Sequence, residues 1–328
     1  MAEAGLHHGI AAWRRRLGAL CASLLLGACA TPPAGSPAPS ASDGVRFAAL
    51  GDVPYSQAQA NRLGDMLAEI NAARSDFAIH LGDITSGQGP CSDEWLQARA
   101  RQFETLAAPF VLVPGDNEWT DCHRLLAGGF DPLERLNALR NLFHAHDPRL
   151  PEFARQSADA RFAEYREHVR WVAGRALFVA LNVPGSNNNL GRTPQMDAEH
   201  ARRMFAVFDW LDEAFALAES RHLDAVVVLM HANPGLDERA RPRPGVEDGY
   251  AALRRVLVEQ ARWFARPVIL MHGDTHGFRR DHPLPEAPNL LRIEADGWPA
   301  LGWLHVSLPA LQTDASSDAV RVRRHLLR

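Results

Sequence analysis

VRFAALGD, residues 45–52, reads as a buried strand that stops at an acidic turn. Apolar residues dominate up to Leu50, and Gly51-Asp52 then breaks the run, the punctuation of a short interior strand. The same arrangement recurs along the chain. Phe77–Leu81 ends at Gly82-Asp83, Phe110–Pro114 at Gly115-Asp116, Ala225–Met230 at His231, and Val268–His272 at Gly273-Asp274-Thr275-His276. A glycine before the acid permits a tight turn and close backbone approach. Gly64-Asp65 is the internal control, because it falls inside a helical pattern and is expected to be a solvated face.

Amphipathic segments separate these strands: Gln57–Ala73, Asp93–Ala107, Leu133–Ala145, Ala198–Ala218 and Val246–Ala265. Ala176–Val183 should add a strand, and Leu290–Ile293 and Gly302–Leu308 read as late strands of a second sheet. Alternating strand and helix predicts a largely parallel α/β arrangement. Ligands of open α/β sheets bind beyond the carboxyl ends of the strands, so the five termini should converge on one rim. Four carboxylates and two imidazoles buried together there call for cations. Carboxylate with imidazole suits Mn, Fe, Mg or Zn, and a two-ion site polarises a phosphoryl group and generates a hydroxide nucleophile.

In the order and spacing of these motifs, from about residue 48 to residue 276, the chain resembles the calcineurin-like metallophosphoesterases. That family carries Asp-x-His, Gly-Asp, Gly-Asn-His-Glu, a lone His and Gly-His-x-His at successive strand ends. The resemblance implies a four-layer α-β-β-α sandwich of two mixed sheets flanked by helices, and a hydrolase of phosphate esters. It places Asp52, Asp83 and His276 on one ion, and Asp83, Asp116, His231 and Asp274 on the other, with Asp83 bridging. The departures are Pro54 for the first His, Asp116 for the Asn, Asn117 for the His credited with protonating the leaving group, and Asp274 for the first His of the last motif. The added carboxylate favours Mn, Mg or Fe over Zn. Asn117 and Glu118 hold the catalytic positions of the third motif, and His123 is the candidate substitute acid. Asn187, Arg192 and Arg279 are candidate substrate contacts, since an Arg fork matches phosphate. His80 and His272 read as buried supporting residues. The alternative function is a metal-binding lipoprotein on the same fold that has lost catalysis.

The chain has 328 residues, 46% hydrophobic and 23% charged, with all 35 basic residues Arg. The absence of Lys excludes a Schiff-base or P-loop lysine, and a net charge of −4 gives no general attraction to nucleic acid. Arg14-Arg15-Arg16 followed by the apolar run from Leu17 to Ala28 is a secretory signal, too short to span a bilayer. Its end, Leu26-Gly27-Ala28-Cys29, resembles a bacterial lipobox. Residues 1–28 are therefore expected to be removed and Cys29 lipidated, and 29–44 to be a Pro/Ala/Ser tether before a single domain at 45–328. The expected location is the periplasmic face of the outer membrane, or otherwise the periplasm or medium, with membrane contact through the anchor alone. The expected substrate is a small-molecule or lipid phosphoester. Cys91 and Cys122, the two cysteines outside the export segment, should pair in an oxidising compartment and tie the loop after Asp83 to the loop after Asp116.

Overall fold

The computed structural model describes residues 44–236, 245–310 and 316–327. The signal segment, Cys29 and the tether lie outside the described residues. Among the described residues twelve strands form two mixed sheets. In chain order they are β1 (Val45–Leu50), β2 (Phe77–His80), β3 (Phe110–Leu112), β4 (Ala154–Arg155), β5 (Val169–Ala173), β6 (Ala176–Ala180), β7 (Ala225–Leu229), β8 (Val268–His272), β9 (Arg279–Asp281), β10 (Leu290–Glu294), β11 (Gly302–Leu308) and β12 (Arg321–Leu326). One sheet runs β12-β11-β1-β2-β3 and the other β4-β5-β6-β7-β8-β10-β9. The centre of each is parallel: β1 with β2 and β3, and β6, β7, β8 with β10.

The helices are α1 (Gln57–Ala72), α2 (Asp93–Phe103), α3 (Pro132–Phe143), the single left-handed turn α4 (Gly185–Asn188), α5 (Pro194–Ser220) and α6 (Ala251–Phe264). Among the described residues no helix is long and apolar enough to cross a membrane. Their starts are chemically marked. Ser56, Ser92, Asp131 and Thr193 accept hydrogen bonds from the first turns of α1, α2, α3 and α5. Pro132 and Pro194 occupy the first helical positions, where their missing N–H is no loss.

Three apolar layers hold four structural layers together. Phe47, Phe77, Trp171, Phe178, Val227, Ile269 and Leu304 pack between the two sheets. Ala48, Leu50, Leu63, Leu67, Leu96, Leu139 and Trp303 join the first sheet to α1, α2 and α3. Leu177, Val228, Leu270, Trp210, Phe215 and Leu257 join the second to α5 and α6. Strand residues alternate between layers because successive side chains point to opposite faces.

The structure corrects several expectations. β10 and β11 do not share a sheet: β10 pairs with β8 in the seven-stranded sheet, whereas β11 pairs antiparallel with β1 in the other. β4, β5, β9 and β12 were not anticipated; β12 is an edge strand whose sequence, RVRRHL, keeps most of its side chains exposed. α2 and α3 each stop short of the expected ends, α5 begins at Pro194 rather than Ala198, and α6 at Ala251 rather than Val246. Asp65 is exposed on α1, as the control required.

Candidate metal centre

Register brings the strand ends level. Leu50 pairs with His80 and His80 with Leu112 across β1, β2 and β3. Asp52, Asp83 and Asp116 follow within a few residues of that row. In the second sheet Leu229 pairs with Met271, and His231 and Asp274 follow. The backbone N–H of Asp274 donates to Asp52 at 3.0 Å, which locks the two sheet edges together. Asp52, Asp83, Asp274 and His276 all have positive φ, between 55° and 78°. Left-handed backbone at non-glycine residues is disfavoured and persists where the surroundings impose it, often at functional sites.

Two glycines show how tightly the loops meet. At Gly82, with φ 93°, a Cβ would stand 2.6 Å from His231 Nδ1 and 2.7 Å from Gly115 Cα. At Gly185 a Cβ would stand 2.4 Å from Asp116 and 2.8 Å from Asp274. Below them His80 is fully buried. It accepts from Gly82 N–H and stands 2.8 Å from the Val53 carbonyl, pinning the first turn to the second. Burial pushes its pKa down to about 3, so it acts as a neutral strut.

Donor atoms of Asp52, Asp83 and His231 lie within 4.8 Å of one another, as do those of Asp116, His231 and Asp274. The two groups share His231, and Asp83 Oδ1 lies 3.4 Å from its Nε2. His231 Nδ1 is 2.7 Å from the Leu81 carbonyl, which turns Nε2 toward the carboxylates. Nε2 and Asp116 Oδ1 are 3.0 Å apart and both buried, and Nε2 also faces Asp83 Oδ1 at 3.4 Å. Carboxylates crowded this closely around one buried imidazole call for compensating positive charge. Hard carboxylates plus one or two imidazoles, on rigid strand ends, fit divalent cations.

The electrostatics agree. Burial, then the charges of Asp274 and Asp116, push the Asp52 carboxyl up to about 8. Burial and neighbouring carboxylates raise Asp83 strongly, and burial lifts Asp274 to about 6. Burial alone would depress His231, but Asp83, Asp116 and Asp52 hold its ring protonated well above the usual range. Protons thus occupy a cluster whose geometry suits cations, and cation entry would release them.

The six sequence-predicted ligands come together at this rim, with His276 Nε2 3.6 Å from Asp52. Other candidates sit further out. Glu118 is fully buried and accepts from the N–H groups of Gly115, Asp83 and Ile84, so its carboxylate ties the second and third loops together. Asn117 donates from Nδ2 to Asp83 and from its backbone to Asp83 Oδ1 at 3.0 Å. His123 is exposed and lies 2.8 Å from Arg192, which itself donates to the Thr120 carbonyl. That pair forms an outer wall beside Asp121. The Asn187 side chain bonds Leu190, Glu247 and Gly249, bracing the loop before α6 rather than facing the carboxylates. Arg279 lies 3.3 Å from buried Glu294 on the His276 side. Cys91 and Cys122 form a disulfide that joins the two loops as expected.

Sequence reading missed three contributors. Tyr55 places its hydroxyl 2.6 Å from Asp83 Oδ2 and 3.1 Å from His276 Nε2. Ser186 Oγ stands 2.9 Å from both Asp116 and Asp121. Asp121 is buried, and burial and the Asp116 charge raise it to about 7. Tyr55 and Asp121 each follow a predicted ligand by a few residues, and that proximity was the available signal. Ser186 lies in a run of left-handed residues, Ser186–Asn189.

No family model matches the sequence, and no curated protein sequence matches it. Solved structures do resemble it. A dimetal phosphatase from Danio rerio superposes with TM-score 0.51 at 14% identity, over 85% of this chain and 98% of that one. Purple acid phosphatase PPD1 from yellow lupin gives 0.45 at 14% identity over 83% and 50%, and a phosphatase from Mycoplasma pneumoniae 0.43 at 13% over 87% and 94%. At such identities the likeness is one of fold. With two mixed sheets and helices on both outer faces, the chain shares the fold of that dimetal phosphatase, the four-layer sandwich expected from the sequence.

Proposed function

We propose that the protein is a hydrolase of phosphate esters that works with two divalent ions. The observation that carries this is the pair of donor groups that share His231, with Asp116 Oδ1 and Asp83 Oδ1 3.0 Å and 3.4 Å from its Nε2. Asp52, Asp83 and His276 would hold one ion, and Asp83, Asp116, His231 and Asp274 the other. When bound, such ions polarise the phosphoryl group and supply an activated water.

The chain's own residues set the rest. His80 and Glu118 fix the ligand loops before substrate arrives, so little reorganisation is needed at the site. Ser186 and Asp121 orient the second oxygen of Asp116. Asn117, an amide, cannot protonate a leaving group at neutral pH. Esters with good leaving groups should therefore be hydrolysed far faster than alkyl phosphates.

The test is a leaving-group series on protein refilled with Mn, Mg, Fe or Zn. A steep dependence on leaving-group acidity supports the reading. Equal rates across the series would remove the missing-acid argument, and ion binding without turnover would favour the non-catalytic alternative.

We also propose export as a lipoprotein anchored at Cys29, supported by the Arg cluster, the short apolar run and Leu26-Gly27-Ala28-Cys29. The proposed substrate is a small-molecule or lipid phosphoester, with no nucleic acid.

A further inference from the structure

Position 54, where the family pattern has a histidine ligand, holds a proline that offers no donor. The next side chain turns into the gap. Tyr55 Oη lies 2.6 Å from Asp83 Oδ2, 3.1 Å from His276 Nε2 and 3.4 Å from Asp52 Oδ1. His276 Nε2 in turn is 3.6 Å from Asp52 Oδ1. Donors bound at about 2.1 Å to one cation stand roughly 3.0 Å apart at octahedral and 3.4 Å apart at tetrahedral angles. The phenolic oxygen thus has ligand-to-ligand spacing from two donors, His276 and Asp52, and a hydrogen bond to a third, Asp83, on three separate loops. A hydroxyl serving only to bond Asp83 would need one acceptor, not a central place among three.

The position is also firmly held. Tyr55 N–H donates to Gln59 Oε1 at 2.8 Å, and its ring meets His276 edge to face at 5.2 Å between centroids. Asn117 Nδ2 donates to Oη at 3.1 Å, leaving that oxygen an acceptor as well as a donor.

We propose that Tyr55 Oη is the fourth protein donor to the ion held by Asp52, Asp83 and His276, in place of the histidine that Pro54 displaces. The assignment rests on the two-ion reading above. It gives Asn117 a second task, orienting that oxygen from outside the ion's own shell.

The chain has three tyrosines, so a spectral signal can be assigned. The metal-stripped full chain is titrated separately with zinc and with ferric iron. Bound ions are counted by mass spectrometry, while tyrosinate is followed by its near-ultraviolet difference band and, for iron, a visible charge-transfer band. Wild type should show both signals as the first ion enters. Tyr55→Phe should lose both and bind that ion at least about tenfold more weakly. Tyr55→His, which restores an imidazole donor nearby, should recover binding without the tyrosinate signals. Ion uptake by wild type with neither signal, or signals that persist in Tyr55→Phe, would overturn the assignment while leaving the two-ion centre standing. Failure of wild type to take up any ion would overturn both.

Discussion

At Asp83 the two carboxylate oxygens face different neighbours. Oδ1 meets His231 and the Asn117 backbone, and Oδ2 meets Tyr55 and the Asn117 amide. Asp83 belongs to one donor group and touches His231, which the two groups share. Asp83→Asn should therefore leave the fold intact but abolish paired-ion binding and nearly all turnover, read as ions per chain and as kcat. Asp274 tests selectivity instead. Its Oδ2 accepts from Asn233 N–H at 2.8 Å, so the side chain is already oriented toward the second group. Asp274→His should shift the preferred ion from Mn or Mg toward Zn or Fe, because imidazole is the softer donor. Unchanged metal preference in that variant would show that the second site is not set by its carboxylates. These positions were legible because each ends an apolar run, where a buried acid demands an explanation. Tyr55 was not, because a tyrosine beside a strand end is ordinary until its neighbours are known.

The elements that carry the ligands are held by the loops between them. The disulfide closes a segment with a separation of 31 residues and lies against the Asn117 carbonyl, fully buried. Replacing both cysteines with alanine should cost about 3–4 kcal/mol by the chain-entropy account, measured by denaturant unfolding of the metal-free form. The same variant should bind the ions of the rim more weakly, because the loop bearing Asp116 is freed. A double variant as stable as wild type would contradict this. The central strands could be read from sequence because parallel interior strands are continuously apolar. The partners of β10 and β11 could not, since both are apolar and only distant pairing distinguishes them. β12 escaped notice because an edge strand carrying four charged or imidazole side chains has no apolar run at all.

Across the whole molecule, protonation should set the stability of the metal-free form. Asp52, raised to about 8, together with Asp83 and His231, both raised well above their ordinary values, hold protons that the unfolded chain releases earlier. Buried His80 and His272, lowered to about 3, and His144, lowered to about 4, act in the opposite sense, but only below their ordinary value of 6.5. Between pH 6.5 and 8 the folded chain therefore binds more protons than the unfolded one, and stability falls as pH rises. Melting curves of the metal-free chain should show Tm dropping across that window, with the gain from added Mn growing as the protons leave. A Tm that rises across it would contradict the protonation pattern of the site.

The central claim is that one rim holds two ions and that they carry the chemistry. The direct measurement is a stoichiometric Mn titration of the stripped protein, with bound ions and aryl phosphate turnover followed together. Turnover that appears as the second ion binds, at two ions per chain, is the predicted result; turnover that survives complete metal removal, or a chain that binds no ion, would contradict it.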